Sequence, residues 1–99
     1  MNLLVTGSTG FLGRRVTLHF ESLGARVLAP VRSSLDITDR SAVMNWFLEN
    51  RPEAVIHTAA ISDTGLCQRK PQWSETVNVT SCLHLAEACG EVGAKLVIC

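Results

Sequence analysis

Gly7, Gly10 and Gly13 recur at every third position where an apolar run gives way to a helical pattern. Their type and spacing are those of a phosphate cradle. Gly7 permits a sharp exit from the preceding strand. Gly10 carries no side chain to keep a pyrophosphate from the helix N-terminus, whose free N–H groups and positive dipole end favour an anion. Gly13 lets the helix press close to the sheet. The G-x-x-G-x-x-G of Val5-Thr6-Gly7-Ser8-Thr9-Gly10-Phe11-Leu12-Gly13 is one residue longer than the more familiar G-x-G-x-x-G. The competing reading is a glycine-rich turn that binds nothing. A strand before it, an amphipathic helix after it and further β-α units downstream supply the context that a dinucleotide site requires.

The next informative position follows the second apolar run, in Ala29-Pro30-Val31-Arg32-Ser33. In dinucleotide sites a carboxylate at this tip bonds a ribose 2′-hydroxyl, whereas an arginine accommodates a 2′-phosphate. Here the tip has Arg32 and no carboxylate, which favours NADP and leaves NAD compatible. The alternative for Arg32 is a solvated surface charge. Asp36, several residues on, suits either a contact to the adenine amino group or an ordinary turn and cap role. In Thr58-Ala59-Ala60-Ile61, at the carboxyl edge beside strand one, the alanines leave room where bulky side chains would obstruct a cofactor.

Other reactive side chains read as structural. His57 is expected to be a packed strand histidine. His19 and His84 have no carboxylate or cysteine partner at metal-ligand spacing, so no metal site is expected. Cys67, Cys82, Cys89 and Cys99 form no C-x-x-C pair and follow no secretory signal, which points to reduced thiols. Cys82 and Cys89 share one helix face and are expected to fill core. Asn78 on that face needs partners, and a tie to the strand-four backbone would supply them. Arg14-Arg15 and Arg69-Lys70 read as solvated surface pairs.

The elements that must position these residues follow from periodicity. Leu3-Leu4-Val5-Thr6 reads as a strand buried on both faces, and Leu12, Val16, Phe20 and Leu23 as the apolar face of a helix stopped by Gly24. A strand at 26–31, weakened by Pro30, is followed by a turn-rich stretch and a helix capped by Thr38 or Asp39, with Val43, Trp46 and Phe47 inward. A third strand is expected over 54–60 and a loop over 62–73. A long helix over 74–91 carries Asn78, Cys82, Leu85, Ala86 and Cys89 on one side, and a fourth strand occupies 95–99. This alternation predicts an α/β, Rossmann-like doubly wound parallel sheet of four strands, order 3-2-1-4, with helices on both faces.

The 99 residues allow one domain, a nucleotide-binding domain over 1–99. Nine basic residues balance nine acidic ones at 46% hydrophobic content, which sets aside disorder and a strongly basic nucleic-acid binder. No apolar stretch reaches the ~18 residues of a membrane span, and no basic leader precedes strand one, so a cytoplasmic location is expected.

Taken in order, the T-G-x-x-G-x-x-G loop, Leu35-Asp36-Ile37-Thr38-Asp39, Arg51-Pro52-Glu53-Ala54-Val55-Ile56-His57-Thr58-Ala59-Ala60, Val77-Asn78-Val79 and Gly93-Ala94-Lys95-Leu96-Val97-Ile98 resemble the extended short-chain dehydrogenase/reductases. Within them the chain is most similar to the dTDP-4-dehydrorhamnose reductase branch. The resemblance implies that Gly10, Phe11 and Leu12 line the pyrophosphate. It also implies that Asp36 and Ile37 border the adenine, and that Ala59, Ala60 and Ile61 pass over the adjacent ribose. The implied chemistry is hydride transfer from a nicotinamide to a keto group on a nucleotide-linked sugar, with the phenol of a Tyr-x-x-x-Lys motif as the acid and the Lys lowering its pKa.

The sequence contains no tyrosine. The expectation is therefore a C-terminally incomplete domain that binds the dinucleotide without catalysing alone, the sugar nucleotide being met only in a full-length parent. Two alternatives stand beside it: a non-catalytic NADP-binding module like the regulatory β subunit of methionine adenosyltransferase, and a non-functional fragment. An exposed strand-four edge would favour self-association.

Overall fold

The computed structural model describes residues 1–8, 10–30, 33–58 and 71–98, with side chains from residue 79 onward in the last stretch. Continuous apolar runs decide where the sheet lies. β1 (Asn2–Thr6) and β3 (Ala54–His57) are buried along nearly their whole length, as strands covered on both faces must be. β2 (Arg26–Leu28) and β4 (Lys95–Ile98) are more exposed and take the edges. All strand pairs are parallel, and Leu4 lies in register with Leu28 on one side and Val55 on the other.

The crossovers run through α1 (Phe11–Ser22), α2 (Arg40–Asn50) and α3 (Pro71–Val92). Alternate residues of a strand point to opposite faces, and the two faces have separate cores. Leu3, Val5 and Ile56 meet Val16 and Phe20 of α1. Leu4 and Val55 meet Val43 and Phe47 of α2, and Leu85, Ala88 and Cys89 of α3. The fold is the expected Rossmann-like doubly wound parallel sheet with helices on both faces.

Along the sheet the order is β2-β1-β3-β4, so the chain crosses to the other side of β1 one unit earlier than the 3-2-1-4 order places it. Burial explains the difference. Ala54–His57, covered on both faces, takes β1 and β4 as neighbours. β2 has three residues and an exposed Arg26, and Pro30 beyond it has no N–H to donate, which suits an edge.

Local boundaries follow side-chain chemistry. Asp39 is the cap of α2, its carboxylate accepting the Ala42 N–H at 3.1 Å. The apolar stripe of α1 is narrower than its leucines suggest, because Leu12 and Leu23 are exposed and buried Gly13 takes the close contact. On α3 the inward face is Ser81, Leu85, Ala88 and Cys89, with Ala86 exposed and Cys82 half-buried. That face is rotated slightly from the expected one. Gly24 and Gly93 end α1 and α3 with positive φ.

Arg51 closes α2 in the left-handed region (φ 44°, ψ 63°), where its N–H reaches the Phe47 carbonyl at 2.7 Å. A Cβ is disfavoured in that conformation. Arg51→Gly should therefore raise stability by about 1 kcal/mol, read as a higher urea midpoint at unchanged slope.

Candidate functional site

The connection from β1 to α1 lies at the carboxyl end of the sheet, where β2 and β3 flank β1 on opposite sides. In open α/β sheets such a switch point leaves a crevice for ligands. Two of the three glycines around it are demanded by the fold. Gly7 adopts φ +69°, and a Cβ there would stand 2.7 Å from Thr58 Oγ1. At Gly13 a Cβ would overlap the Gly7 carbonyl, 2.6 Å from its carbon, and come within 2.8 Å of the same Thr58 oxygen. Gly13 is the point where helix, loop and third strand are pressed together.

Gly10 differs from both. Its φ of −76° and ψ of 168° are open to any residue, and it is exposed. As N-cap of α1 it offers no side chain, and the first turn of the helix carries no acidic residue. The Arg14 N–H makes the first helical bond, to the Gly10 carbonyl at 2.9 Å, so the preceding N–H groups of Phe11, Leu12 and Gly13 receive no partner from the helix. The positive end of the dipole is thus left open. Arg14 and Arg15 follow at once. The Arg15 guanidinium lies 4.7 Å from the centre of the exposed Phe11 ring, and Gly10, Phe11, Arg14, Arg15 and Leu18 line an open groove along the helix. Among the described residues this is the arrangement best suited to an anionic ligand.

The floor of the crevice is a buried polar chain. Thr6 Oγ1 accepts the Thr58 N–H at 3.0 Å and lies 2.7 Å from His57 Nδ1. The Thr58 hydroxyl donates back to the Thr6 carbonyl. On the β2 side, the Ser8 hydroxyl reaches the Ala29 carbonyl at 3.4 Å. The cradle is therefore anchored to the strands on both sides. His57 is the packed strand histidine expected, 2% exposed, and burial pushes its pKa below the ordinary imidazole value. Its partnership with Thr6 and Thr58 was not legible in the sequence, although the polar ends of two adjacent apolar strands were a signal.

The turn after β2 is the second part of the site. Asp36 Oδ1 accepts from the Thr38 N–H at 2.9 Å and from the Thr38 hydroxyl at 2.6 Å, so the turn and cap reading of Asp36 is realised. His84 of α3 bonds the Ile37 carbonyl through Nδ1 at 2.9 Å. Beside it Arg40 of α2 forms a two-point ion pair with Glu87 of α3. That pair holds the Glu87 carboxyl below, and the Arg40 guanidinium above, the ordinary value. His84, which looked like a surface or structural residue, fastens the Asp36–Ile37 turn to α3.

Gly7, Gly10, Phe11, Leu12 and Gly13 are thus gathered at one loop, with Asp36 and Ile37 on a second, separately braced turn. Arg32, Ala59, Ala60 and Ile61 lie outside the described residues, as do Cys67, Cys99 and the Arg69-Lys70 pair, and the side chain of Asn78 is not described. Cys89 is buried in the core, its thiol pKa raised by desolvation. No helix among the described residues is long and apolar enough to cross a membrane.

The sequence and the fold have known relatives. The chain is 42% identical over 93 residues to a dTDP-4-dehydrorhamnose reductase of Streptomyces griseus, a match covering 94% of this chain and 31% of that protein. It is 31% identical over 101 residues to methionine adenosyltransferase 2 subunit beta of Xenopus laevis, covering 95% of this chain and 30% of that protein. The crystal structure of the Bacillus anthracis dTDP-4-dehydrorhamnose reductase in complex with NADP superposes with a TM-score of 0.86 at 27% identity, over 96% of this chain and 34% of that one. The chain therefore spans about a third of the length of these relatives. The RmlD substrate binding domain family matches residues 1–99, the whole of the sequence, and the chain belongs to that family.

Proposed function

We infer that these residues hold a nicotinamide dinucleotide, NADP in preference to NAD, for a reductase acting on the keto group of a nucleotide-linked sugar. The observation that carries this reading is Gly10: it is open, unstrained and exposed over an uncapped helix N-terminus at the switch point of the sheet. The fold explains Gly7 and Gly13, whereas an approaching anion explains Gly10.

In this reading the pyrophosphate lies on the N–H groups of Phe11, Leu12 and Gly13. The Asp36–Ile37 turn borders the adenine, Arg32 meets the 2′-phosphate, and Ala59, Ala60 and Ile61 pass over the adjacent ribose. The dinucleotide, when bound, supplies the hydride. The residues of this chain bind and orient it, and they include no tyrosine to act as the acid.

Titration with NADP⁺ and NAD⁺ tests the reading. Arg32→Ala should weaken NADP⁺ binding about tenfold more than NAD⁺ binding, the ~1.4 kcal/mol of one charged contact. Equal losses would remove Arg32 from the 2′-phosphate. The likeness to the methionine adenosyltransferase subunit favours a second reading, a dinucleotide-binding module that serves a partner protein. The two share cofactor binding and separate on turnover of a 4-keto sugar nucleotide by the full-length protein.

A further inference from the structure

The crevice floor contains a buried imidazole that pyrophosphate binding does not use. His57 Nδ1 is engaged with Thr6, but Nε2 is buried with no hydrogen-bond partner among the described residues. Through Thr6 the ring is linked to Thr58. Thr58 Oγ1 is the atom against which both Gly7 and Gly13 are fitted, at 2.7 and 2.8 Å from their Cβ directions. Hydrogen bonds thus link the buried ring to Thr58, and Thr58 in turn packs against the two glycines that bracket Gly10.

This arrangement suits a neutral ring, whose one engaged nitrogen meets Thr6. An imidazolium has an N–H on both nitrogens, and at Nε2 the second would find no acceptor. A buried charge with an unmet donor is relieved only if the ring leaves its place or the ends of β1 and β3 part. Either movement shifts Thr6 and Thr58, and with them the glycine loop.

We propose that His57 is a positioning residue for the dinucleotide cradle, acting through Thr6 and Thr58, and that protonation of its ring loosens the cradle and weakens dinucleotide binding. The binding half rests on the cofactor reading above, whereas the coupling of ring to loop does not. No neighbouring charge opposes the effect among the described residues. β1 brings Thr6 to the ring, β4 places Ile98 in register with it, and α2 and α3 turn Val43, Phe47, Ser81, Leu85, Ala88 and Cys89 to that side of the sheet. Of these only Cys89 titrates, and burial keeps its thiol neutral. Burial alone lowers the pKa of His57. The ring is therefore neutral in folded and unfolded chains above the ordinary value near 6.5, and affinity and stability are lost as pH falls from there through the lowered folded pKa.

NADP⁺ titrations between about pH 8 and 5 on the wild type and on His57→Asn, whose amide can engage Thr6 but carries no charge, test the binding half. The wild-type Kd should rise at least about tenfold further than that of the variant. The 2′-phosphate titrates in the same range, but both proteins share that change. The coupling half is read without ligand or variant, by following the Gly7, Gly10 and Gly13 amide resonances and the His57 ring through the same pH range. The glycines should shift with the midpoint of the ring. Glycine amides that ignore the ring, or parallel Kd profiles for the two proteins, would overturn the proposal. Glycines that follow the ring in a protein that binds no NADP⁺ at any pH would leave the coupling standing and sink the cofactor reading.

Discussion

Gly13→Ala should destabilise the protein by about 3 kcal/mol or more, the upper range of overpacking penalties. The added methyl has nowhere to go. It would overlap the Gly7 carbonyl and crowd Thr58, all of them parts of backbone or of a short, hydrogen-bonded side chain. To admit it, α1 must lift from the ends of β1 and β3, which exposes Val16 and Phe20 and the sheet face they cover. A domain of this size commands only about 5–15 kcal/mol in total, so the urea midpoint should fall sharply. An Ala variant as stable as the wild type would mean that the helix does not approach the loop as closely as described.

Gly10→Asp should abolish dinucleotide binding, a loss of at least about 100-fold or ~3 kcal/mol, in a protein that remains folded. Aspartate is a favoured N-cap, so the fold should change by no more than about 1 kcal/mol, and the backbone of Gly10 already has dihedrals that any residue adopts. Yet the carboxylate would take the N–H groups and the dipole end that the pyrophosphate requires. Gly10→Val should weaken binding by bulk instead, its Cβ meeting only the Gly7 carbonyl oxygen at 3.3 Å. Calorimetric titration with NADP⁺ beside a thermal melt separates the two effects. Unchanged affinity in a folded Gly10→Asp protein would displace the pyrophosphate from this helix end.

Taken together, the glycine variants divide a motif that looks uniform in one dimension. Gly7 and Gly13 answer to packing, whereas the backbone at Gly10 would admit any residue, a distinction that depends on which atoms stand opposite each Cβ. The same holds for the histidines. His57 and His84 are both single ring residues without metal partners nearby in sequence. One ends in a buried chain under the cradle, and the other fastens the Ile37 carbonyl from 47 residues away.

Local chemistry accounts for what could be read in one dimension. Unbroken apolar runs marked β1 and β3, the glycine spacing marked the turn into α1, and the Thr38-Asp39 pair marked the start of α2, because each depends on neighbours within a few residues. Tertiary structure decided the rest. The placement of β3 beside β1 came from which strand needed cover on both sides. Leu12 and Leu23 are exposed because α1 meets the sheet core through Val16 and Phe20 instead, and the inward face of α3 came from its docking on α2 and β4. The floor of the crevice came from two polar strand ends, Thr6 and His57, meeting across a register that pairs residues 51 apart. Periodicity reports how a segment can bury itself. Only contact between distant segments says against what, and here that contact sets both the shape of the cradle and the ring beneath it.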